Sequence, residues 1–228
     1  TEMLERTGGR TPHYAPRDDS NWENCQANQR DGEEYLRVVL DAAQSARLVG
    51  EDLGTVPPYV RPSLQSLGIA GFKIPQWEST PDNGQVVRGS DYQRLSVTTY
   101  ATHDHKPIRA MWDEAFAPEE TVEREQARGD LRKISEFAGV HSLGKNADFD
   151  RDFYAPITRA LFASNAWMAI VMITDLLARK DRFNVPGTAK SSNWSRRLQM
   201  TVSRLRASRT VKHRMRIVRD LIRETGRA

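Results

Sequence analysis

Two short stretches hold residues able to do acid–base chemistry. Glu51 and Asp52 stand side by side in Gly50-Glu51-Asp52-Leu53-Gly54, and Asp104 follows His103 in Thr102-His103-Asp104-His105. A carboxylic acid whose pKa is raised by apolar surroundings can protonate a glycosidic leaving group. A second carboxylate, kept ionised, can stabilise the oxocarbenium ion that develops. The same residues admit another reading, in which Glu51 and Asp52 cap the helix that follows them. His103 and His105 are one residue apart, but no cysteine or third histidine stands near them to complete a ligand set, so no metal is expected. No glycine-rich phosphate loop is present, and no organic cofactor is expected either.

Each of these groups ends an apolar run. Leu48-Val49-Gly50 stops at Glu51-Asp52, and Ile69–Ile74 leads into Gln76-Trp77. Leu95–Tyr100, rich in β-branched residues, runs into Thr102-His103-Asp104, and Trp167–Ile173 stops at Thr174-Asp175. Helical spacing fills the intervals. From Glu33 it runs through Tyr35, Leu36, Val39, Leu40 and Ala43, and after a possible cap at Thr55 it continues through Leu64 and Leu67 to Gly68. Further helix is expected over about Pro118–Phe137 and around Ile157–Phe162, whereas residues 1–31 read as loop. This alternation predicts an α/β fold with a parallel sheet, whose ligands bind beyond the carboxyl ends of the strands. Asp175 at the last strand end could bind sugar hydroxyls or cap a helix. Trp22, Trp77, Tyr100 and Trp112 could stack on glucose or pack in the core, and Trp77 is the best placed because it follows a strand end.

The 228 residues carry a formal charge of +4, unevenly spread. Ser195–Ala228 holds eleven Lys and Arg against Asp220 and Glu224, so the rest of the chain is net acidic. One cysteine, Cys25, excludes an internal disulfide framework. The longest apolar run, Ala166–Ile173, is far short of the roughly 20 residues that span a bilayer, and no basic-then-apolar leader opens the chain. A soluble protein of the cytoplasm, with no membrane partner, is the expectation. In the basic tail Leu198, Val202, Leu205, Val211, Met215, Val218, Leu221 and Ile222 fall at helical spacing. Such a helix binds nucleic acid or an anionic membrane, or packs its stripe on the body. Packing is the expected reading, and nucleic acid is not expected as a partner.

Several blocks, in order, resemble the amylomaltase family, the 4-α-glucanotransferases of glycoside hydrolase family seventy-seven. They are Gly50-Glu51-Asp52-Leu53-Gly54-Thr55-Val56-Pro57, Gly71-Phe72-Lys73-Ile74-Pro75-Gln76, Thr102-His103-Asp104, Asn184-Val185-Pro186-Gly187-Thr188 and Asn193-Trp194-Ser195-Arg196-Arg197-Leu198. The resemblance covers about Glu33–Leu198. It implies a (β/α)₈ barrel that moves α-1,4-glucan segments between malto-oligosaccharides by a retaining, two-step mechanism without metal or organic cofactor. It makes Glu51 the acid/base, Asp104 the transition-state stabiliser and His103 a ligand of sugar hydroxyls. Asp52, Trp77 and Asp175 join His103 as candidate substrate-binding residues. Asn184, Gly187 and Asn193 match the pattern, yet their residue types also serve as turn chemistry.

The sequence departs from the family in two places. The family's nucleophile is an Asp in an Arg-x-Asp-His block on the fourth strand. These 228 residues contain no such block, and Asp18, Asp19, Asp31 and Asp41 lack its context. Four strands are expected, matching the family's strands five to eight. Residues 1–198 are therefore expected to form the C-terminal half of the barrel, and residues 199–228 a basic amphipathic helix. Without its nucleophile the isolated chain is expected to show no transfer. Second, His105-Lys106-Pro107 stands where the family commonly has Asn-Asp-Thr, which bears on the acceptor more than on the reaction. The alternatives are an α-glucan hydrolase or branching enzyme on the same barrel, and a non-catalytic glucan- or nucleic-acid-binding remnant.

Overall fold

The computed structural model describes residues 16–141, 143–144 and 146–227. It divides into two compact units, the first running to Gly71 and the second from Phe72.

In the first unit, helix α1 spans Trp22–Ala43, so it starts eleven residues before the expected Glu33. Residues 1–15 lie outside the described residues, but Trp22–Asp31 is helix and not the expected loop. Asn21 is the reason: its side chain accepts from the Asn24 N–H at 2.9 Å. The early turns escape a hydrophobic pattern because their inward side chain is polar. Asn28 is buried and is held by both the N–H and the carbonyl of Arg17, at 3.0 and 2.8 Å. The run Leu48–Gly50 contributes one parallel bridge, Val49 to Ala70. Helix α2 spans Val60–Ser66, later than the Thr55 cap implied. Two consecutive prolines explain the delay, since a residue preceding Pro is disfavoured in helical backbone. Gly68, at φ +71°, then ends the segment.

Three short strands form a sheet in the order β1 (Gly71–Lys73), β2 (Ser96–Thr98), β3 (Met168–Ala169). The β2–β3 pair is parallel, with Val97 opposite Met168 and Thr98 opposite Ala169. All three β2 residues are buried, as expected of a strand covered on both faces. The apolar runs exceed the strands. After β2, Thr99 Oγ1 and Ala101 exchange hydrogen bonds that turn the chain. After β3, Ile173 opens helix α6 (Ile173–Leu176).

Helices α3 (Ile108–Ala115), α4 (Val122–Phe137) and α5 (Ala155–Ala163) build the core of the second unit, together with a π-helical turn at Phe149–Tyr154. Thr121 caps α4 through the Arg124 N–H, as the first-turn acids Glu123 and Glu125 suit. Tyr100, Trp112, Phe153, Ile157 and Leu161 meet there, so Tyr100 and Trp112 are packing residues. Met111, Ala115, Leu131 and Ile134 complete it from the facing sides of α3 and α4.

The basic tail is two helices, α7 (Val202–Ala207) and α8 (Arg209–Glu224), broken at Ser208, whose hydroxyl caps α8. Both belong to the unit that starts at Phe72. Helix α8 buries Leu221 and packs Val218 against the core. Arg214, 1 % exposed, donates from Nε to the Leu176 carbonyl at 2.7 Å and from Nη2 to the Asp175 carbonyl at 3.0 Å. It also pairs with Asp150 and lies 4.2 Å from the Tyr154 ring centre. The stripe predicted along the tail is used in packing at Val218 and Leu221, whereas Val202 is exposed. Among the described residues no helix is long and apolar enough to cross a membrane.

Candidate active site

In the first unit the bridge at Val49 delivers Glu51 and Asp52 immediately beyond a strand position. Their surroundings differ. Glu51 is exposed, whereas the Asp52 side chain is 3 % exposed and its Oδ2 accepts from Arg61 Nε at 3.1 Å. Gly71 makes that seat possible. A Cβ on Gly71 would lie 2.8 Å from Asp52 Oδ2, inside any contact that real Cβ atoms make. The buried carboxylate of Asp52 thus fixes the turn, and its exposed neighbour Glu51 is presented to solvent.

In the second unit, β2 leads to the His103-Asp104 turn. The Asp104 side chain is 35 % exposed and is held at one oxygen only. Oδ1 accepts from Asn184 Nδ2 at 2.6 Å and lies 3.2 Å from His103 Nε2. Arg182 bonds the Asp104 carbonyl. Among the described residues Oδ2 takes no hydrogen bond, so a partly exposed carboxylate is clamped on one side and open on the other. Two indoles border the turn. Trp194, 66 % exposed, lies 4.9 Å from the His103 ring, and Trp77, 48 % exposed, lies 4.6 Å from the His105 ring. Exposed aromatic faces beside a carboxylate suit a sugar, which offers an apolar C–H face and a rim of hydroxyls. Gln76 holds Trp77 in place, because its Nε2 donates to the Tyr100 carbonyl at 2.8 Å, joining the end of β1 to the end of β2.

The candidate residues do not all share this surface. Asp175 is 3 % exposed, and its Oδ1 accepts from the Ile108 N–H at 2.7 Å, the first N–H of α3. Pro107, at the start of that helix, offers no capping side chain, and Asp175 supplies the cap from across the fold. Burial pushes its pKa up to about 7, against the lowering effects of that hydrogen bond and of Arg214. Of the two readings of Asp175, the contact observed is the cap. Trp22 belongs to the first unit and is 71 % exposed.

Sequence reasoning missed Trp194 as an aromatic wall and Arg182 as a brace, and it favoured turn chemistry for Asn184. All three lie in a turn-rich segment between α6 and α7 that shows no periodicity. Only the Asn-Val-Pro-Gly-Thr and Asn-Trp blocks marked it. Trp194 itself sits at φ +60°, and its N–H donates to the Phe183 carbonyl at 2.9 Å. Asn193 supports the same loop through the Val185 and Thr188 backbone. Its amide is the turn chemistry that holds Asn184 opposite Asp104.

Comparison with known proteins identifies the family of the chain. The family model described as 4-alpha-glucanotransferase matches residues 12–202. The chain is 30 % identical over 187 residues to a 4-alpha-glucanotransferase of Chlamydia muridarum, covering 77 % of this chain and 32 % of that protein. It is 31 % identical over 175 residues to one from Mycobacterium tuberculosis, covering 69 % and 24 %. Among solved structures, amylomaltase from Streptococcus agalactiae in complex with acarbose superposes with a TM-score of 0.59 at 20 % identity, over 86 % of this chain and 35 % of that one. Amylomaltase from Corynebacterium glutamicum gives 0.57 at 21 %, over 76 % and 29 %. The chain thus spans about a third of the length of the curated Chlamydia relative. With the fold and more than four-fifths of the sequence matched, the chain belongs to the 4-alpha-glucanotransferase family, glycoside hydrolase family 77.

Proposed function

We propose that this chain supplies the proton-donating and charge-stabilising side of an α-1,4-glucan transfer site, built on the C-terminal half of a (β/α)₈ barrel. The observation that carries the reading is the Asp104 carboxylate, clamped at Oδ1 by Asn184 and His103, open at Oδ2, and bordered by the exposed rings of Trp77 and Trp194. Asp104 stabilises positive charge developing at the anomeric carbon, and His103 orients hydroxyls of the sugar at the cleavage point. Glu51 protonates the leaving glycosidic oxygen, then deprotonates the incoming sugar hydroxyl in the second step. Asp52 acts by fixing the Glu51 turn, and Trp77 and Trp194 stack on neighbouring glucose rings. Asp175 contributes through α3, whose N-terminus it caps just after the His-Asp turn. The nucleophile comes from an Arg-x-Asp-His block, which these residues lack, so the chain alone performs no transfer. A three-stranded sheet in sequence order with its β2–β3 pair parallel, and chemistry-bearing residues beyond its strand ends, supports the half-barrel reading.

The test is a chimera in which this chain replaces the matched 187-residue segment of the Chlamydia muridarum protein. Incubated with maltotriose, the chimera should yield glucose and longer maltodextrins. Glu51→Gln and Asp104→Asn should each abolish this. Maltose and glucose alone would assign hydrolysis instead. Turnover of maltotriose by the 228-residue chain by itself would overturn the assignment of the nucleophile to a missing block.

A further inference from the structure

The turn that carries Asp104 is closed by a histidine whose hydrogen-bonding state is dictated by its own backbone. The Thr102 N–H donates to His105 Nδ1 at 3.0 Å, and the His105 N–H donates back to the Thr102 carbonyl at 3.1 Å. The Asp104 N–H donates to Thr102 Oγ1 at 3.4 Å, and that hydroxyl lies 2.9 Å from the same Nδ1. A ring nitrogen that accepts from a backbone N–H carries no proton of its own, so neutral His105 holds its hydrogen on Nε2. Nε2 is buried and has no hydrogen-bond partner among the described residues.

A second proton would sit on Nδ1 and face the Thr102 N–H, setting two donors against each other where one bond now closes the turn. The acceptor within its reach is the Thr102 hydroxyl oxygen at 2.9 Å, and turning to it gives up the bond from the Thr102 N–H. The surroundings also oppose the charge. Trp77 covers the ring, Arg182 and His103 repel an imidazolium, and Asp104 and the Thr102 backbone favour it. Burial is the largest effect and the Arg182 guanidinium the second, and together they hold the imidazole below its ordinary pKa of 6.5. Arg182 also bonds the Asp104 carbonyl, so the cation that excludes the proton braces the same turn.

We propose that His105 is a positioning residue, whose unprotonated Nδ1 locks the Thr102–His105 turn and so holds Asp104 in place, and that protonating His105 releases the turn. This rests on the reading of Asp104 as the charge-stabilising group. It adds a role at a position where this chain departs from the pattern of its family. The consequence is an acid limit on glucan binding set by a histidine, separate from the protonation of either carboxylate. Binding that requires the neutral ring weakens about tenfold for each pH unit below the His105 midpoint.

The test uses the 228-residue chain labelled with ¹⁵N. Ring spectra should show His105 protonated at Nε2 near neutrality, with a midpoint below 6.5. The backbone amides of Thr102 and Asp104 should shift with that same midpoint. In His105→Asn the side-chain oxygen still accepts from the Thr102 N–H but does not titrate, so the amide should keep its hydrogen-bonded position and lose the pH step. In His105→Phe the ring still covers Trp77 but the acceptor is gone, and both features should vanish. A proton on Nδ1 near neutrality would overturn the proposal. So would an Asp104 step that survives in His105→Asn, because His103 would then be its source. Calorimetry with acarbose against pH follows. Loss of binding along the His105 midpoint supports the full proposal, and binding that ignores that midpoint overturns the link to the site. If acarbose binds at no pH while the amide steps hold, the glucan reading fails and the locked turn stands.

Discussion

Replacing Asp175 by Asn should change the sign of its effect on stability as pH falls. The carboxyl is 3 % exposed, and its pKa rises from an ordinary 3.8 to about 7. The folded state therefore holds this proton more tightly than the unfolded chain does. Its contribution to stability is complete below pH 3.8 and is lost as pH rises through 7. A gap of about three units, at about 1.4 kcal/mol each, makes the ionised group roughly 4 kcal/mol less favourable at pH 8 than a neutral one of the same shape. The Asn carbonyl keeps the bond from the Ile108 N–H, but its NH₂ adds buried donors, which cost about 1–3 kcal/mol if unmet. Asp175→Asn should therefore be more stable than wild type by roughly 1–3 kcal/mol at about pH 8, equal to it near about pH 5, and less stable at about pH 4. Urea unfolding of both proteins across this range measures the difference, in which every other titrating group cancels. A variant less stable by the same amount at every pH would refute the argument that an ionised carboxylate is buried at this cap.

Other residues give sharp tests. Arg214→Ala leaves the Leu176 and Asp175 carbonyls and the Asp150 carboxylate without their buried partner, and should cost about 3–5 kcal/mol by urea unfolding. A loss below about 1 kcal/mol would mean that α8 is not anchored through this side chain. Gly71→Ala forces Asp52 off its seat, so it should weaken acarbose binding in calorimetry along with stability; unchanged binding would separate Asp52 from the Glu51 turn. Asn184→Ala removes a charge-assisted bond to Asp104 of about 1.5–3 kcal/mol in a buried setting, and less at this half-exposed one. It should lower chimera turnover of maltotriose by about tenfold, and a rate within twofold of the parent would assign Asn184 to the loop alone.

What the sequence showed was position along the chain, and what it hid was position across it. The apolar run of β2 was readable because burial on both faces demands unbroken β-branched and aliphatic residues, and the other three runs stood out by composition although Val49, Ile170 and Ile173 are exposed. Glu51 and Asp104 could be picked out for the same reason, as acids placed where such runs stop. The start of α1 was not readable, because Asn28 fills its buried side and a polar residue satisfied by backbone leaves no hydrophobic signature. The partners of Asp104 are Arg182, Asn184 and, through His103, Trp194, some eighty residues later in a segment of turns. No periodicity links them, and only the family resemblance marked those blocks. Asp175 shows the limit from the other side. Its place at a strand end left sugar binding and helix capping both open, and a helix begun by Pro107 without a capping side chain takes that carboxylate for its first N–H.

The proposed function requires that Glu51 and Asp104 act on one glycosidic bond. The most direct measurement is a crystal structure of the Chlamydia chimera with acarbose bound. The claim predicts a single acarbose whose linkage nitrogen lies within hydrogen-bond distance of the Glu51 carboxyl while Asp104 Oδ2 touches the same saccharide unit. An inhibitor bound at one of the two residues and out of reach of the other would contradict it.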